Sequence, residues 1–264
     1  MFVPTSIKPL TFTLVLENLV SIYRSLDFFK TKRCFVICFR ILFEIALNIS
    51  SLIIHYFYLF PITAGNDLVC YYSNFVNSLF PVLFASCYSK KFNKLLSLIE
   101  NNNSYFSNDV EYNTNIKKQD RIIKIGFFIN IPLTIVTAVY GFYIRDTEIN
   151  SIILNIIFTI NARICDWRNI FEYVALYSVI YVISQQLACI TRIVSKKNAS
   201  ATFVVEQRHI SNENFRQTRP KTRDFEELSA VFSNIAECCK LFNQIYGLQV
   251  SFLYNLLHAL HSYG

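Results

Sequence analysis

The stretch Ile125–Ile144, IGFFINIPLTIVTAVYGFYI, decides the fold: twenty residues without a single charge. A bilayer core is spanned by about 20 mostly apolar residues in helical form. Three further runs have the same character, Leu68–Tyr88, Tyr173–Thr191 and Leu241–Gly264. Only helices and closed barrels satisfy their own backbone polar groups in hydrocarbon, and these runs lack the period-two alternation of barrel strands. The sequence therefore predicts an all-α, polytopic transmembrane helix bundle.

Composition agrees. The chain of 264 residues is 53% hydrophobic and 16% charged, against about a quarter charged in ordinary soluble domains. Its 25 Phe suit lipid-facing and packed helix surfaces, and its 16 Tyr suit interfaces and polar pockets. The net charge of +7 is not a nucleic-acid footprint, because Lys and Arg gather in the flanks of the apolar runs rather than in one basic module.

Residues 1–33 read as a cytoplasmic amphipathic segment, closed by Lys30, Lys32 and Arg33. Residues 34–264 then form the transmembrane domain, with helices at about 34–60, 68–88, 125–144, 149–194 (or only its part 171–193) and 241–264. Loops 89–124 and 195–240 are basic and the turns between the other runs are not, which predicts a cytoplasmic amino terminus, five crossings and an outer carboxyl end. The loop from Glu100 to Asp120, rich in Asn and charge, reads as solvated. Between Asp146 and Arg219 there is no Gly or Pro, so a single fourth helix projecting into the cytoplasm is the preferred reading of that stretch.

Charged residues inside the runs are few. Arg40 and Glu44, at i,i+4, can neutralise each other. In the fourth helix, Arg163 and Asp166 (i,i+3) and Arg168 and Glu172 (i,i+4) sum to zero, and helical phase places Trp167 beside the first pair. Ionisable groups at membrane depth are costly and mark functional sites by default. The sharp reading is a polar ligand pocket, and the commoner one is an interfacial network of structural pairs. Gln185 and Gln186 read as interhelical hydrogen-bonding residues. His258 and His261 lack a carboxylate or Cys neighbour in sequence, and the eight cysteines form no CxxC pair, so neither a metal nor another cofactor is expected. No nucleophile–base set or phosphate-binding glycine loop is present, and the chain does not read as an enzyme.

Three segments, FASCYSKKFNKLLSLIE (84–100), FEYVALYSVIYVISQQLACITRIV (171–194) and FEELSAVFSNIAECCKLFNQIYGLQVSFLYNLL (225–257), together with the inverted topology, resemble the insect gustatory receptors of the seven-helix insect chemoreceptor superfamily. The resemblance implies a taste chemoreceptor in the plasma membrane, a multi-pass subunit of a ligand-gated cation channel. It implies partners too: a small-molecule tastant, membrane lipid, and other receptor subunits in a homo- or hetero-tetramer. The implied outward-facing ligand pocket falls nearest Tyr140, Tyr143, Arg163, Asp166 and Trp167. The family has seven crossings with the seventh lining the pore, whereas this chain reaches Gly264 within or just after the fifth. The expectation is an incomplete subunit without the pore helix. The competing readings are a secondary transporter, for which Pro81 and Pro132 are the main support, and a nonfunctional membrane fragment.

Overall fold

The computed structural model describes residues 7–20, 22–24, 34–54, 65–144, 149–210 and 222–263. They form six helices: α1 Lys8–Leu19, α2 Cys34–Ile54, α3 Gly65–Phe106, α4 Val110–Ile144, α5 Ile149–Ile210 and α6 Thr222–Tyr263. No strand occurs among the described residues, so the all-α class holds. Of the turn expected at 61–67, residues 61–64 lie outside the described part of the structure and residues 65–67 already form the first turn of α3; the turn expected at 145–148 and the side chains of Arg40, Tyr143, His258 and His261 lie outside it too.

The helices are longer than the apolar runs. α5 is unbroken over 62 residues, about 93 Å at 1.5 Å per residue. Of the two readings of this stretch, the structure has the continuous one. α3 carries on past Lys90, Lys91 and Lys94 to Phe106, and α4 begins at Val110. The segment expected to be a solvated loop is therefore a helical hairpin joined only by residues 107–109. Its polar residues are helix-compatible, and every third or fourth side chain turns inward: Phe92, Leu95, Leu96, Ile99, Asn102 and Phe106 are all buried. Asp109 stops one helix and starts the next, its Oδ1 accepting the Tyr112 backbone N–H at 2.8 Å. That hydrogen bond, with Arg192 3.5 Å away, holds the Asp109 carboxyl below its usual pKa.

One hydrophobic core gathers this hairpin, the middle of α5, the first half of α6 and α1. Fully burying each Leu, Ile or Phe there contributes on the order of 2 kcal/mol. α3 packs on α6 and α5, and α1 packs on α5 and α4. The short α1 is thus not a surface-lying segment. It buries Pro9, Leu10, Thr13, Leu14, Leu16 and even Glu17, because larger helices flank it on more than one side. Polar side chains pin the core: Asn102 donates to Gln186 Oε1 (3.3 Å), Gln186 to the Ile99 carbonyl (3.0 Å), Asn234 to Asn102 (3.2 Å) and Asn115 to Gln185 (2.8 Å).

Beyond this core the helices change character. Val110–Tyr140 of α4 and Thr159–Lys196 of α5 are long and apolar enough to cross a membrane; the α5 segment overlaps the core and 44% of its apolar window is buried, whereas in α4 only 6% is. The core helix of a soluble protein would be mostly buried, so that value sets α4 apart. Phe128, Ile129, Leu133, Ile135, Val136 and Val139 are more than half exposed, as are Phe35, Phe39, Leu42 and Phe43 of α2. A helix apolar on nearly every side, with most of that surface facing no other part of the protein, has the surface of a bilayer segment.

Candidate functional site

α5 presents two different polar seams near its first third. On one, Asn161, Cys165, Arg168 and Glu172 follow at helical spacing and face α1 and α2. Asn161 Nδ2 and Cys165 Sγ both donate to Asn48 Oδ1 (3.4 and 3.3 Å). Arg168 pairs with Glu44 and donates from Nε to the Val20 carbonyl at 3.0 Å. Glu172 pairs with Arg24, whose Nε also donates to Glu17 Oε1 at 3.2 Å. The guanidinium of Arg24 stands over the Phe92 and Tyr246 rings, 5.6 and 5.0 Å from their centroids.

The expected local pair of Arg168 and Glu172 is therefore corrected. Each residue is drawn to an opposite charge on another element, since burial at 0% and 12% side-chain exposure rewards partners that also close the interface. Glu44 belongs to this network, and the side chain of its expected partner Arg40 is not described. Three carboxylates meet two guanidiniums here, and Glu17 Oε2 and Glu172 Oε1 are buried without a hydrogen bond. Burial pushes the Glu17 carboxyl up to about 8 against the pull of Arg24. Burial also opposes the Arg24 cation, yet Glu17 and Glu172 together hold its pKa above the ordinary value.

The second seam of α5 faces α4. Arg163 and Asp166 pair at 2.9 Å, as their spacing predicts, with a third of each side chain exposed. They line a cavity of about 360 Å³ with Asn169 and Ile170 of α5 and Asn130, Leu133, Thr134 and Thr137 of α4. The threonine hydroxyls donate to Asn130 and Thr134 carbonyls of their own helix, which leaves their oxygens as acceptors. Arg163 Nε is buried without a partner. The cavity offers one cation, one anion and several neutral polar groups, enough to orient a small polar molecule.

Trp167 does not join this cavity. Its ring packs on Phe127 and Phe171, with centroids 5.7 and 5.0 Å apart. It lines a neighbouring apolar crevice of about 320 Å³, and Asn130 and Ile170 border both spaces. Tyr140, 66% exposed, lines neither. Of the five residues expected at the pocket, Arg163 and Asp166 come together, Trp167 and Tyr140 lie apart from them, and the side chain of Tyr143 is not described. Asn130, Thr134, Thr137 and Asn169 were missed. The first three form an i, i+4, i+7 stripe inside an otherwise apolar run, a signal the sequence does contain.

Among the described residues no group of three His, Cys, Asp or Glu side chains is placed to hold a metal ion. No protein-family model matches the chain, and no curated protein or solved structure matches it either.

Proposed function

We propose that this chain is a subunit of an oligomeric membrane chemoreceptor of the insect gustatory type, in which a small polar tastant gates a cation conductance. The observation that carries this reading is the Arg163–Asp166 cavity between α4 and α5, a polar recess set among helix surfaces that are otherwise apolar and exposed. Charge inside such a surface is retained where it binds or conducts something. In this reading α2 and parts of α3, α4, α5 and α6 cross the plasma membrane five times, and the basic flanks keep the amino terminus and the α5–α6 connection in the cytoplasm. The packed core around Gln186 then lies in the cytoplasm, where its amphipathic faces also serve to meet neighbouring subunits.

The transporter reading has less support. Pro81 and Pro132 sit inside helices that continue through them, whereas transporter sites use discontinuous helices. The test is electrophysiological. Cells co-expressing this chain with intact receptor subunits are challenged with polar tastants, and the wild type is compared with Asp166→Asn and Arg163→Gln. A shift in the dose–response curve in the variants, at unchanged surface expression, supports the reading. Identical responses with and without the chain refute it.

A further inference from the structure

The apolar crevice beside Trp167 has two features that its own walls do not explain. The first is Gly126, in the middle of α4, where glycine is a poor helix former. Small residues in membrane helices let a neighbouring backbone come close, yet a Cβ on Gly126 would meet no atom within 4 Å. Gly126 is itself exposed, so the missing side chain leaves an open stretch of groove floor within the crevice. The second is Gln119, two turns earlier on the same side of α4. It is 3% exposed, lines the crevice, and its Nε2 has no acceptor. A buried amide donor without a partner is costly and marks a place where something else accepts.

The surroundings say what that something is. Among the residues lining the crevice, Ile122, Tyr173 and Tyr177 are more than half exposed, on the two helices long and apolar enough to cross a membrane. What enters past them is what dissolves in a bilayer. Lys118, exposed, stands one turn before Ile122 on the same side of α4. From Gly126 the groove floor is apolar as far as the Gln119 amide, and Lys118, about 100° further round the helix at nearly the same height, sets a cation at the rim beside that amide. Gly126 and Gln119 are about 10 Å apart along the axis. In a phospholipid the acyl chain likewise leads to an ester carbonyl, with the phosphate beside it.

The geometry points to a phospholipid site: an acyl chain lies along Gly126 against the Trp167 ring, its ester carbonyl accepts the N–H of Gln119, and its phosphate meets Lys118. The assignment rests on the membrane reading of α4 and α5 given above. It is separate from the polar cavity, since Asn130 and Ile170 stand between the two. Lipid in this crevice would brace α4 against α5 directly beside the tastant recess.

The chain supplies its own probe, because Trp167 is its only tryptophan. The full chain, purified in detergent, is titrated with phosphatidylglycerol brominated on its acyl chains while Trp167 emission is followed. Quenching should saturate near one lipid per chain. Gly126→Leu fills the open stretch of groove floor and suits a helix better than glycine, so it should fold and raise the half-saturation concentration by about tenfold. Chain-brominated phosphatidylcholine should bind more weakly than phosphatidylglycerol, and Lys118→Ala should abolish that difference. Quenching that rises without saturation and equally in wild type and Gly126→Leu is annular contact only and overturns the site. A crevice silent to lipid because a second copy of the chain covers Trp167 overturns it too, as does a brominated free fatty acid binding as tightly as the phospholipid. Recovery of the chain from the aqueous rather than the membrane fraction would instead remove the membrane reading itself.

Discussion

Arg168 on α5 is paired with Glu44 on α2, 124 positions earlier in the chain, while Glu172, one turn along the same helix, is taken by Arg24. The pair that looks local in sequence, Arg168 with Glu172, is thus replaced by two cross-links between elements. The first half of α5 is fastened to α2 on one side and to α1, through Arg24 and Glu17, on the other.

Removing the carboxylate of the Arg168–Glu44 link leaves the fully buried Arg168 guanidinium without its ion partner. Glu44→Leu should destabilise the fold by about 3–5 kcal/mol, and the double variant Arg168→Leu/Glu44→Leu by clearly less. Thermal unfolding in detergent of the wild type, both single variants and the double variant gives the coupling. Additive losses would show that the two residues are independent. Arg163→Leu, in a pair with a third of each side chain exposed, should cost less than about 1 kcal/mol.

The Glu17 carboxyl makes stability depend on pH. Its folded pKa is raised from 4.5 to about 8, so the folded chain holds a proton that the unfolded chain releases between those values. The associated stability is complete below pH 4.5 and is lost as pH rises through about 8. The groups facing it are Arg24, Glu172 of α5 and Tyr246 of α6, with Arg168 and Glu44 in the adjoining pair. Glu17→Gln mimics the protonated form and keeps an oxygen for Arg24. Melting temperatures measured from pH 5 to 9 (on the order of this titration window) should fall for the wild type and stay flatter for the variant. Parallel curves would place the proton elsewhere.

Asn102 is the hub of the hydrogen bonds in the packed core, donating to Gln186 and accepting from Asn234. Asn102→Leu strands buried partners on two other helices and should cost about 2–3 kcal/mol. Gln185→Ala frees only the part-buried Asn115 amide and should cost about 1 kcal/mol or less. Urea unfolding midpoints for the two variants would rank them, and equal losses would demote the hub.

The cap at Asp109 is testable alone. Asp109→Ala removes the acceptor for the Tyr112 N–H and should loosen the start of α4 by about 1 kcal/mol. Hydrogen exchange of the amides at residues 111–114 reads the effect locally, and unchanged protection there would contradict the capping role.

What the sequence made legible was whatever depended on short range. The continuity of α5 followed from the absence of Gly and Pro over that stretch, and the Arg163–Asp166 pair followed from its spacing. The Asn-rich segment misled because composition does not reveal which way an amide points. Asn102 turns into the core, Asn103 accepts the Tyr112 hydroxyl at 2.9 Å, and Asn115 reaches Gln185, so residues typical of loops act as helix-to-helix fasteners. Arg24 and Glu17 were invisible as partners of the fourth helix for a different reason. A charge pair separated by 148 positions leaves no periodic trace.

The uninterrupted length of α5 has a mechanical consequence. Arg163 in the recess and Gln186 in the packed core are carried on one rod, about 35 Å apart. Its fulcrum is the pair of clamps Arg168–Glu44 and Glu172–Arg24. Gln186 lies about 24 Å beyond their midpoint, so a tilt of roughly 5° there swings Gln186 by roughly 2 Å. Any displacement of the Arg163 end therefore reaches the far bundle by leverage, with no relay of side-chain rearrangements in between.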